Sequence, residues 1–98
     1  MPSSKEYKDF IIEQLNDELI TVKPMMGEYL LYYNGTLFGG VYDDRLLVKI
    51  TEETTAFNMQ KVLPYDGAKP MYAVDCVDDK ERLKKIILKT YQGLIKNK

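Results

Sequence analysis

Ninety-eight residues, 45% apolar and 30% charged, have the size and composition of one soluble globular domain with a single two-layer core. No apolar run is long enough to span a bilayer, and no basic segment followed by an apolar stretch marks a secretory signal. The lone Cys76 cannot close an internal disulfide, so a cytoplasmic location is expected. The net charge of −1 is unevenly spread: residues 80–98 hold seven of the fourteen basic residues and one acid, Glu81. A basic patch on one side of the domain is therefore compatible with an acidic whole.

The first element is a helix expected over about residues 4–18. Ser3 and Glu6 stand at capping-box spacing, and Tyr7, Phe10, Ile11, Gln14 and Leu15 form its inward stripe. Residues 21–26 read as a short strand, and Pro24 assigns it to a sheet edge or a bulge because proline cannot donate a ladder hydrogen bond. Glu28–Tyr33, the pair Asn34-Gly35 and Thr36–Tyr42 make a hairpin, since Asn-Gly suits a turn that needs positive φ at both positions. Asp43-Asp44 makes a second tight turn into Arg45–Ile50, which completes an antiparallel meander. Thr51 caps a short helix at about 52–59. A loop with two prolines and a glycine covers 61–70, and Met71–Val74 is a last strand. Asp78 then caps a helix starting at Asp79, with Leu83, Ile86, Ile87, Thr90, Tyr91 and Leu94 as its inward stripe.

Two-residue turns fix the register of the meander. One face then holds Leu30, Tyr32, Leu37, Gly39, Val41, Leu46, Val48 and Ile50, an aliphatic seat for the helices. The other holds Tyr29, Leu31, Tyr33, Thr36, Phe38, Gly40, Tyr42, Arg45, Leu47 and Lys49. Four rings are more than a wet sheet face needs, so Tyr29, Tyr33, Phe38, Tyr42, Arg45 and Lys49 are expected to form a contact surface. Three uses remain open: a second internal core under the short helix or the 61–70 loop, a homodimer interface, or a platform for a partner or a nucleic acid. A bulge at Gly39-Gly40 would exchange the faces for every residue before it on that strand.

Catalytic chemistry has little to draw on. The chain has no histidine and one cysteine, which removes a Cys–His pair and the usual zinc sites. No phosphate-binding glycine loop is present, and Asp43-Asp44 and Asp78-Asp79 read as turn and cap residues. No catalytic residue, metal site or cofactor is expected, and Cys76 reads as a packing residue beside carboxylates that oppose thiolate formation. Lys80, Lys84, Lys85 and Lys89 on the last helix could bind nucleic acid in a strongly salt-dependent way. Lys69, in the shaped loop 65–71, could bind an anion, with Arg45 as a second group in a small-metabolite sensor.

Ordered blocks across nearly the whole chain resemble the TfoX (Sxy) N-terminal domain family. They are Met25-Met26-Gly27-Glu28-Tyr29, Leu31-Tyr32-Tyr33, Gly35 and Leu37 through Lys49, then Pro64-Tyr65, Ala68-Lys69-Pro70-Met71 and Val77-Asp78-Asp79. The resemblance implies an α+β domain of order α-β-β-β-β-α-β-α, an antiparallel sheet with helices packed on one face, similar to secretion-chaperone-like domains that often dimerise. It also implies a non-enzymatic protein-interaction module in a bacterium, connected with expression of competence (DNA-uptake) genes and contacting the transcription machinery. The longer regulators of the family carry a further C-terminal helical domain, so residues 1–98 are expected to stand alone as a single N-terminal-type domain.

Overall fold

A computed structural model describes residues 4–25, 27–75 and 77–96. Its elements run α1 (Lys5–Leu15), β1 (Ile20–Met25), β2 (Glu28–Tyr33), β3 (Thr36–Tyr42) and β4 (Arg45–Val48). A 3₁₀ turn (Glu52–Phe57), β5 (Gln60–Val62), β6 (Met71–Ala73) and α2 (Lys80–Lys96) follow. The strands form one antiparallel sheet in the order β1-β2-β3-β4-β6-β5. The expected α+β architecture is present, and β1, with Pro24, lies at a sheet edge as the missing donor requires. The short β5 is an addition, cut from the start of the segment expected as loop.

Local chemistry sets the element ends with small shifts from expectation. The Ser4 hydroxyl accepts from Tyr7 N at 3.2 Å, so Ser4 caps α1; the expected cap, Ser3, lies outside the described residues. The helix stops at Leu15 because Asn16 turns left-handed, with φ 43°, and its N–H bonds back to Ile12 O. Asp79, one residue later than expected, caps α2 by accepting from Arg82 N at 3.2 Å. Cys76 lies outside the described residues.

Both hairpin turns have positive φ at both central residues, 50° and 82° at Asn34-Gly35 and 52° and 55° at Asp43-Asp44. The second turn is held by its surroundings. Glu28 Oε2 accepts from Asp43 N, and Asp44 Oδ1 accepts from Ser4 N, each at 2.7 Å. The tip of the β3–β4 hairpin is thus tied to the start of α1.

One residue rearranges the sheet faces. Tyr32 opposes Leu37, but the next pair along is Leu31 with Gly39, so Phe38 is an extra residue on β3. This β-bulge exchanges inside and outside for β2 and the start of β3. The helix-covered face carries Tyr29, Leu31, Tyr33, Phe38, Val41, Leu46 and Val48, joined in one core with Ile11, Leu15, Leu83, Ile86 and Ile87 of the helices. The other face carries Leu30, Tyr32, Leu37, Tyr42, Arg45 and Leu47. The expected surface of Tyr29, Tyr33, Phe38, Tyr42, Arg45 and Lys49 is therefore corrected. Its first three members point to the helices, and Phe38, at 0% exposure, is the largest fully buried side chain.

Gly39 makes the bulge possible. A Cβ there would overlap the Leu47 carbonyl oxygen and lie 2.8 Å from Val48 Cα. Lys49 N donates to Phe38 O at 2.8 Å, so the bulged residue still has a backbone partner.

Candidate interaction face and cleft

The meander presents its second face away from α1 and α2. Leu30, Tyr32, Leu37 and Tyr42 are half-buried there, and Thr21, Lys23 and Met25 of β1 extend the face to the edge as exposed side chains. Leu47 is fully buried and Met71 nearly so, yet neither belongs to the helix-side core. Met71 lies beside the segment 64–70, which returns over one end of the face, while Leu47 is paired within the sheet to Ala73 of β6.

Between that segment and the sheet runs a cleft of about 610 Å³. Its floor is β3, where Gly39 supplies no side chain. A Cβ on Gly40 would come within 3.0 Å of Tyr42 Cε2, so the Tyr42 ring lies back along its own strand over the glycine. Leu37, Ile50, Tyr65, Met71 and Leu94 line the walls, with Lys49 and Lys69 as the charged members. No acidic residue is among the described lining. Neither lysine has an ion-pair partner among the described residues.

Tyr42 has its pKa raised above 10.0, first by burial and then by Tyr65, Glu28 and Tyr32 nearby. Its hydroxyl is therefore a neutral hydrogen-bonding group at physiological pH. Arg45 is not free to sweep the surface, because its Nε donates to Tyr42 O at 3.3 Å.

The other sequence-derived candidates fall elsewhere. Lys80, Lys84, Lys85 and Lys89 are exposed on α2, on the helical layer and apart from the cleft. Two basic neighbours on that helix are engaged structurally: Arg82 donates to Phe57 O at 3.1 Å and Lys96 meets Glu53 at 3.4 Å. Lys69 does reach a shaped site, but its cationic neighbour is Lys49, not Arg45. Among the described residues no group of three or more Asp, Glu, His or Cys could hold a metal ion, and no helix is long and apolar enough to cross a membrane.

Leu30, Tyr32, Leu37, Tyr65 and Met71 belong to the open face or its cleft and were missed by sequence reasoning. The bulge weighed at the Gly39-Gly40 doublet is the signal for Leu30, Tyr32 and Leu37, whereas Tyr65 and Met71 reach the cleft by a long-range return that no local pattern marks.

The TfoX N-terminal domain family model matches residues 13–94. This span holds the whole sheet, both turns and most of α2. A relative from Spirochaeta aurantia, described as an uncharacterized 12.7 kDa protein in the trpE 5′ region, is 32% identical over 98 residues. The alignment covers 96% of this chain and 85% of that one. No solved structure matches the chain. On the family match and on that relative, the chain belongs to the TfoX N-terminal domain family.

Proposed function

We propose that this chain is a non-enzymatic protein-interaction module that acts in the cytoplasm in bacterial gene regulation, with competence genes as the regulated class that its family suggests. The observation that carries the reading is the uncovered sheet face. Leu30, Tyr32, Leu37 and Tyr42 stand half-exposed beside exposed Met25, on the side of the meander away from the helix-packed core, where α2 brings Leu94 to the edge of the cleft. Tyrosine, methionine and arginine are enriched where proteins meet, and an apolar patch of this kind marks a contact surface. Two copies meeting through this face is the simplest arrangement, because a two-fold axis uses the same patch twice.

Light scattering on a sizing column tests it, with the wild type beside Tyr32→Glu. The expected result is a wild-type dimer and a Tyr32→Glu monomer with unchanged far-UV circular dichroism. A dimer that survives Tyr32→Glu would place the interface elsewhere. A monomeric wild type would remove the self-interface, leaving a different protein as the partner.

A further inference from the structure

The cleft at the end of this face has features that flat docking to another protein does not require. Its volume, about 610 Å³, lies in the range of pockets that enclose small molecules. A second hollow, beside Leu15, Tyr33 and Ile87, is only about 30 Å³, the space of one water. The cleft walls are apolar and aromatic, from Leu37, Tyr42, Ile50, Tyr65 and Met71. Its two charges have the same sign, and neither is neutralised from within the described protein.

Two lysines beside one apolar trough repel each other and gain when an anion sits between them. A solvated lysine face has no such trough, and an apolar core pocket has no such pair. We infer that the cleft under the 64–70 segment binds a small apolar monoanion, an aromatic or aliphatic carboxylate, with its body along β3 and its carboxylate between Lys49 and Lys69. Gly39 contributes only backbone to the floor, between Leu37 and Tyr42 of the same strand. The Tyr42 hydroxyl, neutral at physiological pH, adds an uncharged donor. This site goes beyond the docking role above and does not rest on it.

Three probes that share one body separate charge from shape: 4-phenylbutyrate, 4-phenylbutan-1-ol and 4-phenylbutylamine. Each is titrated into the full chain and followed by amide chemical shifts in two-dimensional NMR. The expected result is saturable binding of the carboxylate with shifts concentrated at Leu37, Lys49, Lys69 and Met71. Two partly exposed charge contacts make it bind about tenfold more tightly than the alcohol, with the amine weakest. In the double variant Lys49→Gln/Lys69→Gln the preference for carboxylate over alcohol disappears while alcohol binding is kept. These lysines are exposed, so the fold is not at stake. The inference is overturned by no saturable binding of the carboxylate, by an amine that binds as well as the acid, by a preference that survives in the double variant, or by shifts that map away from the cleft. None of these outcomes bears on the dimer measurement above.

Discussion

Replacing Gly39 with alanine adds one methyl group at the centre of the sheet. An added Cβ overlaps the Leu47 carbonyl oxygen and sits 2.8 Å from Val48 Cα, both backbone atoms of β4. A flexible side chain could swing aside, but a backbone in a paired strand cannot move without straining the ladder. Overpacking a tight site costs about 1–3 kcal/mol, and the rigid obstacle puts this case at the upper end. Alanine also stiffens the unfolded chain, which returns about 0.4–1 kcal/mol. The net loss is therefore about 2 kcal/mol, a large part of the stability of a domain this size, and lowers the melting temperature by about 8–16 °C. Urea unfolding followed by far-UV circular dichroism measures it. Gly35→Ala is the comparison, because that position meets nothing within 4 Å and costs only its positive φ of 82°, about 1–2 kcal/mol. A Gly39→Ala variant within about 0.5 kcal/mol of wild type would refute the close approach of β3 to β4, and with it the bulge.

Gly93→Ala should destabilise although alanine favours a helix: the new Cβ would lie 2.6 Å from Thr51 Cβ and 2.5 Å from Glu53 Oε2. Overpacking of about 1–3 kcal/mol exceeds the helical gain of about 1 kcal/mol, and a rise in the urea midpoint would contradict the packing of α2 on the 3₁₀ turn. Alkaline pH is a second lever. Tyr7, Tyr33 and Tyr42 all have their pKa raised, each chiefly by burial, so the native state holds these protons longer than the unfolded chain does. Their contribution is complete below the unfolded value of 10.0 and is lost as pH rises through the native values. Urea midpoints should be flat up to about pH 9 and fall beyond about pH 10, with a shallower fall in Tyr42→Phe; stability that rises above pH 10 would reverse the sign.

Turn chemistry made most of the fold legible in the sequence. Asn34-Gly35 and Asp43-Asp44 placed both hairpins, and the β3–β4 register follows from the second turn without error from Tyr42–Arg45 to Gly39–Val48. The stripe of α2 was equally readable, with Leu83, Ile86, Ile87 and Thr90 all buried. What failed was parity across the bulge. A two-residue turn fixes register only until an extra residue enters, and Phe38 enters two positions after Thr36, which the Asn34-Gly35 turn type does not signal. Apolar residues lie on both sides of β2, so alternation could not report the slip: Leu30 and Leu31, Tyr32 and Tyr33 are interchangeable by composition. The strand β5 escaped because Gln60-Lys61-Val62 carries no apolar period and pairs through its backbone with β6. The cleft depends on the return of residues 64–70 onto β3, a long-range contact that no local pattern encodes.

The exchange of faces at Phe38 is the claim on which the interaction face and the cleft both depend. A pair of variants tests it: Tyr32→Glu and Phe38→Glu, each followed by urea unfolding and far-UV circular dichroism. Tyr32 is half-exposed on the open face, so Tyr32→Glu should stay folded, with unchanged far-UV circular dichroism and a cooperative unfolding transition. Phe38 has no exposure, and truncation of a buried phenylalanine alone costs about 3–5 kcal/mol before any charge is buried. Phe38→Glu should therefore lose its cooperative unfolding transition. A folded Phe38→Glu beside an unfolded Tyr32→Glu would contradict the account, because it would put Phe38 outside and Tyr32 within the core.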